Sequence, residues 1–337
     1  MQERSGRTTT AGTGTMRAVV QDAYGGSEVL HSRDVPVPGV AADEVLIQVR
    51  AAGLDRGVWH TMTGLPYLGR LAFGLRGPRN PVLGMDVAGV VVAVGARVSR
   101  FAVGDEVFGV GRGTFAEFAT AREGGLVHKP AALSFVQAAA VPVSGVTAVK
   151  ALHDAGRVGE GQHVAILGAS GGVGSFAVQL ARAAGAQVTA VCSGAKAEYV
   201  RALGADQVID YRVQDFALGG AAFDLILDIG GTPSVARLRR ALSPNGTAVI
   251  VGGEGGGNLT GGLHRQLGAV ALSPFVHQRL AMVFAVVRAE ALERLVPLIE
   301  GGSVVPSIDR TFPLARAAEA MDYLESGAVR GKVVLTV

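Results

Sequence analysis

The sequence predicts an α/β chain in which a doubly wound parallel-sheet domain is inserted into a small barrel-like β domain. Three observations predict it. Short β-type runs separated by Gly, Pro and Asp fill the region from Met16 to about Ser134, which is the pattern of a barrel-like β domain. From Gln162 onward strands and helices alternate, which means a parallel sheet covered by helices. The tail then returns to strand character, with Ile308 to Phe312 and Lys332 to Val337 flanking a helix from Leu314 to Leu324. At 337 residues two domains are the natural division: residues 16–138 plus 303–337 for the first, 139–302 for the second.

In order, the strands expected in the first domain are Met16 to Gln21, Glu44 to Ala51, Asp86 to Val94, Glu106 to Val110, Phe115 to Thr120 and Gly125 to His128. Gly84, Gly89, Gly95, Gly104 and Gly109 would serve its corners and bulges. Between Gly53 and Pro81 the sequence reads as an irregular stretch holding Asp55, Arg56, Trp59, His60, Met62, Tyr67 and Arg70. Polar and aromatic side chains gathered in a loop are candidates for a binding wall. They serve equally to seal the loop onto the barrel. Ser134 to Gly156 is expected to be helical, with Ser134 as N-cap and a break near Pro142.

In the second domain the expected strands are His163 to Leu167, Gln187 to Val191, Gln207 to Asp210, Asp224 to Asp228 and Thr247 to Gly252, with Ala269 to Leu272 as a sixth. Helices are expected at Ser175 to Ala184, at Val235 to Leu242 behind the cap Ser234, and at Ala289 to Ile299, weakened by Pro297.

The stretch that organises the second domain is Gly168, Ala169, Ser170, Gly171, Gly172, Val173, Gly174. It lies between an apolar strand and a helix, and from Ala169 it reads A-x-G-x-x-G, one step from the dinucleotide fingerprint G-x-G-x-x-G. Gly171 lets backbone approach a diphosphate, and Gly174 lets the helix close on the strand. The phosphates would rest on amides at the helix N-terminus. Gly185 is a plausible C-cap before the next strand, so the unit has βαβ order.

Just past that second strand an NAD site usually carries a carboxylate for the ribose 2′-hydroxyl. Here the residues are Cys192, Ser193, Gly194, Ala195 and Lys196. No carboxylate is expected there to repel a 2′-phosphate, while Ser193 and Lys196 can donate to one. The reading is NADPH, and the alternative for Lys196 is a solvated loop lysine.

Composition removes other classes. The chain is 49% hydrophobic and 18% charged, which is globular. A net charge of +3 with scattered basic residues makes a pI near 9.2 poor evidence for nucleic-acid binding. Cys192 is the sole cysteine, so an intramolecular disulfide is excluded and a reducing, cytoplasmic setting is expected. Residues 1–15 are polar and lack a signal-peptide core, and are expected to be disordered, with Met16 an alternative start. No run has the length of a membrane span.

These motifs, with GADQVIDY at 204–211, PVLGMDVAGVV at 81–91 and VGDEVFG at 103–109, resemble the medium-chain dehydrogenase/reductase superfamily in its zinc-independent quinone-oxidoreductase branch. The resemblance runs from Met16 to Val337. It implies a GroES-like catalytic domain with an inserted Rossmann domain, NADPH in the cleft between them, and a homodimer. Zinc-using relatives carry a loop cysteine, a G-H-E motif and a four-cysteine lobe. This chain has Met85 in place of that histidine, and neither a loop cysteine nor the lobe. No metal is expected, since zinc prefers thiolate and imidazole ligands. By the same resemblance Ser193, Lys196 and Tyr211 hold the 2′-phosphate and ribose. Thr147, Val251, Gly252 and Gly253 match positions near the nicotinamide, and Asp55 falls where many relatives have asparagine beside that ring.

Without a Lewis acid, chemistry rests on aligning hydride donor and acceptor in a dry site, which suits electrophilic quinones, enones and carbonyls. The candidate hydrogen-bond donors are Tyr67 first and His60 second, with Asp55 orienting either or acting alone. The alternatives are an enoyl-thioester reductase, or a non-catalytic NADPH-binding structural or regulatory protein.

Overall fold

A computed structural model describes residues 14–218, 223–253, 257–284 and 286–337. Residues 1–13, most of the segment expected to be disordered, lie outside them. Among the described residues fifteen strands form three sheets. A hairpin of β1 (Thr15–Val20) and β2 (His31–Pro36) lies beside a seven-stranded sheet. That sheet contains β3 (Glu44–Leu54), β4 (Asp86–Val94), β5 (Glu106–Val110), β6 (Phe118–Arg122) and β7 (Leu126–His128). The second domain is a six-stranded parallel sheet of β8 (His163–Leu167), β9 (Gln187–Cys192), β10 (Gln207–Asp210), β11 (Phe223–Asp228), β12 (Leu242–Ile250) and β13 (Arg279–Met282). Its order is β10-β9-β8-β11-β12-β13. The order reverses beside β8, which puts the binding crevice at the C-terminal ends of β8, β9 and β11.

The tail strands β14 (Ile308–Pro313) and β15 (Lys332–Thr336) return to the first domain. There β15 pairs antiparallel with β3, Val334 opposite Gly53. The helices joining the domains begin where Ser134 builds a capping box with Gln137, and Pro142 opens the second of them, Pro142–Val149. A wider π-helical turn, Lys150–Gly156, follows. Ala51, Ala88 and Phe108 of the first domain share one apolar core with Ala138, Val146 and Val149 of the linking helices.

Four expectations are corrected. The stretch after Gly53 is not irregular: β3 continues to Leu54 and the helix Arg56–Thr63 follows. Asp55 Oδ1 caps it by accepting from Val58 N at 3.0 Å, and Val58 and Met62, one turn apart, bury its inner face. The strand expected at Phe115 begins at Phe118, since Phe115 instead bonds to Val19 of β1. Ala269 to Leu272 is the end of a helix, Leu263–Leu272, and the sixth strand is β13. A four-residue apolar run has no periodicity to separate strand from helix. The helix expected over 289–299 is two, Ala289–Glu293 and Val296–Glu300, with Pro297 in the first turn of the second.

Candidate active site

The glycine turn is built as its sequence requires. A Cβ on Gly174 would lie 2.2 Å from the carbonyl oxygen of Gly168, so only glycine lets the helix Gly172–Ala183 close on β8. At Gly171 the nearest neighbour of such an atom is 3.6 Å away, so the backbone stands open. No side chain caps this helix. Its first-turn N–H groups are left for an anion, and the macrodipole points the same way. The residues therefore fit a dinucleotide diphosphate. Ala169 is fully buried beneath the turn, and Ser170 accepts from Gly331 N at 2.9 Å, tying the turn to the start of β15.

At the end expected to take the adenosine, Ser193 is buried at the close of β9, and Tyr211 is exposed with Arg212 over its ring. Lys196 Nζ donates to the carbonyls of Gly327 and Val329, both at 2.7 Å. Burial pushes its ammonium below the ordinary lysine value, against an opposing pull from Asp309. Two groups here were missed by sequence. Arg330, beside Lys196, donates to the carbonyl of Ala195 at 3.4 Å. Asp210 at the end of β10 places Oδ2 2.4 Å from where a Cβ of Gly194 would be. The expectation that no carboxylate stands near this pocket is thus corrected, because a neighbouring parallel strand supplies one that the spacing along β9 does not reveal.

At the opposite end of the cleft, Thr147 sits on the helix Pro142–Val149 with Oγ1 bonded to the Val143 carbonyl at 2.6 Å. Asp55 is nine-tenths buried, and its Oδ2 has no hydrogen-bond partner among the described residues. His60 Nδ1 lies 2.7 Å from the Leu65 carbonyl. A carbonyl only accepts, so Nδ1 carries the proton and Nε2 of the neutral ring is an acceptor. Tyr67 follows on a short 3-10 turn, half exposed, with the Arg70 guanidinium stacked 4.8 Å from its ring and 4.6 Å from that of Tyr24. Thus His60 braces the segment that carries Tyr67. No hydrogen bond joins Asp55 to either of them among the described residues.

Between these ends lies a buried cluster that sequence reasoning did not assign. Lys332 Nζ is 3.2 Å from Asp86 Oδ2 and 3.2 Å from Ser144 Oγ, while Val143 N donates to Asp86 Oδ1 at 2.9 Å. Both charged side chains are almost inaccessible. Burial pushes Asp86 up to about 7, with Lys332 opposing and Asp55 adding to the rise. The Lys332 stem touches the glycine turn, since a Cβ on Gly172 would meet its Cδ at 3.1 Å. A lysine in the otherwise apolar run Lys332–Thr336 was the available signal.

Two family models match: an alcohol dehydrogenase GroES-like domain over residues 41–131 and a "zinc-binding dehydrogenase" over residues 203–335. The bovine mitochondrial NAD(P)H oxidoreductase RTN4IP1 is 34% identical, over 98% of this chain and 91% of its own length. The chain belongs to the medium-chain dehydrogenase/reductase superfamily, in its zinc-independent quinone-oxidoreductase branch. It is an oxidoreductase that uses a nicotinamide cofactor. Among solved structures, the quinone oxidoreductase of Coxiella burnetii aligns with a TM-score of 0.86 at 30% identity, covering 96% of this chain and all of that one (100%). The Escherichia coli quinone oxidoreductase complexed with NADPH aligns at 0.82 and 26%, covering 95% and 100%. Despite the second model's name, the described residues of this chain hold no group of three His, Cys, Asp or Glu side chains placed to share a metal ion.

Proposed function

We propose that the protein is an NADPH-dependent reductase of quinones or of activated carbonyl and enone compounds, acting without a metal. The observation that carries the reading is the uncapped N-terminus of the helix Gly172–Ala183, with Lys196 and Arg330 at one end of the crevice and Asp55 and Tyr67 at the other. The first-turn amides hold the diphosphate, and Ser193, Lys196, Tyr211 and Arg330 face the 2′-phosphate. Asp210 sets its charge against that phosphate and is outweighed by the cations around it.

When bound, the reduced nicotinamide supplies a hydride. The chain then has to seat an electrophilic acceptor beside it, exclude water, and give a hydrogen bond to the oxygen where charge collects. Tyr67 carries the donor suited to that oxygen. In its neutral form His60 holds the Tyr67 segment by donating Nδ1–H to the Leu65 carbonyl, and its Nε2 has only a lone pair to offer an acceptor. Asp55, with one oxygen satisfied by Val58 N, offers the other to a donor on cofactor or acceptor.

The test is NADPH and NADH oxidation by purified protein across quinones, enones, aldehydes and a crotonyl thioester, with and without chelator. Turnover of the first groups with NADPH, unaffected by EDTA, supports the reading. Tight NADPH binding with no turnover of any acceptor would sink it in favour of a non-catalytic protein, and thioester turnover alone in favour of an enoyl-thioester reductase. The homodimer proposal finds support at the edge of β13, which pairs only with β12 among the described residues and is flanked by exposed Phe275, Phe284 and Val286. Light scattering tests it, a monomer mass being the contrary result.

A further inference from the structure

Asp228 ends β11 with no exposed surface, and its charge is answered by a helix that sequence reasoning did not see. Arg265, in the first turn of Leu263–Leu272, donates through Nη1 to Asp228 Oδ2 at 2.6 Å and to the Pro233 carbonyl at 2.7 Å. Its Nη2 donates to the Gly252 carbonyl at 3.1 Å. The next residue, Gln266, lies 3.5 Å from the Val251 carbonyl and is itself buried. Asp228 meanwhile takes the Gly231 amide on Oδ1 at 2.9 Å, and its backbone carbonyl takes the amides of Val251 and Gly252. One buried ion pair therefore pins the backbone that follows β11 to the backbone that follows β12. Among the described residues Arg265 Nε has no partner, so the guanidinium's attachments all run to these two segments.

The pinned backbone also reaches the other domain. A Cβ on Gly253 would lie 1.8 Å from the Gly261 carbonyl, and one on Gly261 would lie 2.7 Å from Cγ of Pro66, the residue before Tyr67. The end of β12 is thus packed through Gly261 onto the segment that carries Tyr67.

We propose that Arg265 is a positioning residue: through Asp228, and together with Gln266, it fixes the Val251–Gly253 backbone that faces the nicotinamide and registers it against the Pro66–Tyr67 segment across the cleft. This rests on the reading above that the nicotinamide end lies beside Val251–Gly253. Arg265 touches neither cofactor nor acceptor. Its effect is on the alignment of hydride donor and acceptor, not on holding the cofactor, whose diphosphate is anchored at the glycine turn.

The experiment compares wild type with Arg265→Lys, Arg265→Gln and the charge-neutral double variant Asp228→Asn with Arg265→Gln, which leaves no lone buried charge if the single Gln variant fails to fold. In cofactor-free protein, hydrogen exchange reads the amides of Gly231, Val251 and Gly252. In saturated protein, kcat, acceptor KM, NADPH Kd and the emission of bound NADPH are measured. Expected are faster exchange confined to those amides, a kcat lower by about tenfold or more, changed nicotinamide emission, and KM and Kd within about threefold, with partial recovery in Arg265→Lys. A lowered melting temperature with kcat and emission unchanged would overturn the proposal, as would unchanged exchange at those amides. Failure of wild type itself to bind NADPH would instead remove the functional reading on which the proposal stands.

Discussion

The two ends of the crevice are made by different means. The diphosphate end is backbone: an uncapped helix N-terminus, a glycine whose missing Cβ admits a carbonyl at 2.2 Å, and a turn held by Gly331. The acceptor end is side chains: Asp55 and Tyr67 stand on neighbouring segments, and Asp86 from β4 and Lys332 from β15, far apart in the chain, lie buried between the two ends. Backbone recognition is written in a few adjacent residues and tolerates little change. Side-chain recognition is spread over the chain and depends on burial, so its failures are energetic and show a pH dependence.

The largest expected effect falls on the buried pair. Lys332→Met leaves Asp86 inaccessible and unpaired, and should destabilise the protein by about 3 to 5 kcal/mol, most of it recovered when Asp86→Leu is added. Denaturant unfolding of the two singles and the double measures this. A near-neutral single variant would mean that the two ends of the crevice are not joined by a buried charge pair.

Next comes Tyr67→Phe, expected to lower kcat by about 100-fold with little change in NADPH affinity, since a hydrogen-bond donor acts on the reacting oxygen and not on the diphosphate. An unchanged kcat would remove Tyr67 as the donor. Lys196→Ala tests the opposite end. It should weaken NADPH about 10- to 150-fold through one lost charge-assisted contact while leaving NADH nearly unchanged. Equal losses for both cofactors would mean that Lys196 serves only the carbonyls of Gly327 and Val329 that it already holds.

The remaining effect, read as a slope against pH rather than as a loss, is that of Asp86. Its pKa rises from 3.8 to about 7 on folding, so the folded state binds the extra proton between those values. The stability contributed by this group is complete below pH 3.8 and is lost as pH rises through about 7. Relative to wild type, Asp86→Asn should therefore gain stability as pH climbs across that window and stay level above it. Unfolding curves at several pH values check this, a constant difference being the contrary outcome.

The same contrast explains what the sequence made legible. The strands Asp86–Val94, Glu106–Val110, His163–Leu167 and Gln207–Asp210 have the bounds that their apolar runs predict, and the glycine turn states its ligand in seven residues. The helix Arg56–Thr63 was hidden because Gly57, Thr61 and Thr63 are weak helix formers and only two positions are buried. Leu263–Leu272 was hidden for another reason: it buries Gln266 and Ala269 while exposing Leu267 and Val270, the reverse of an amphipathic pattern. Asp210 reaches Gly194 across the ends of two paired strands, and Lys332 reaches Asp86 from 246 positions away. Neither leaves a local pattern to read.

Titration of cofactor-free protein with NADPH and NADH by calorimetry, for wild type and Gly174→Val, tests the central claim most directly. One NADPH site per chain, weaker NADH binding, and loss of both in the variant, whose new side chain would meet the Gly168 carbonyl, are expected. No heat with either nucleotide, or unchanged binding in a folded Gly174→Val protein, would contradict it.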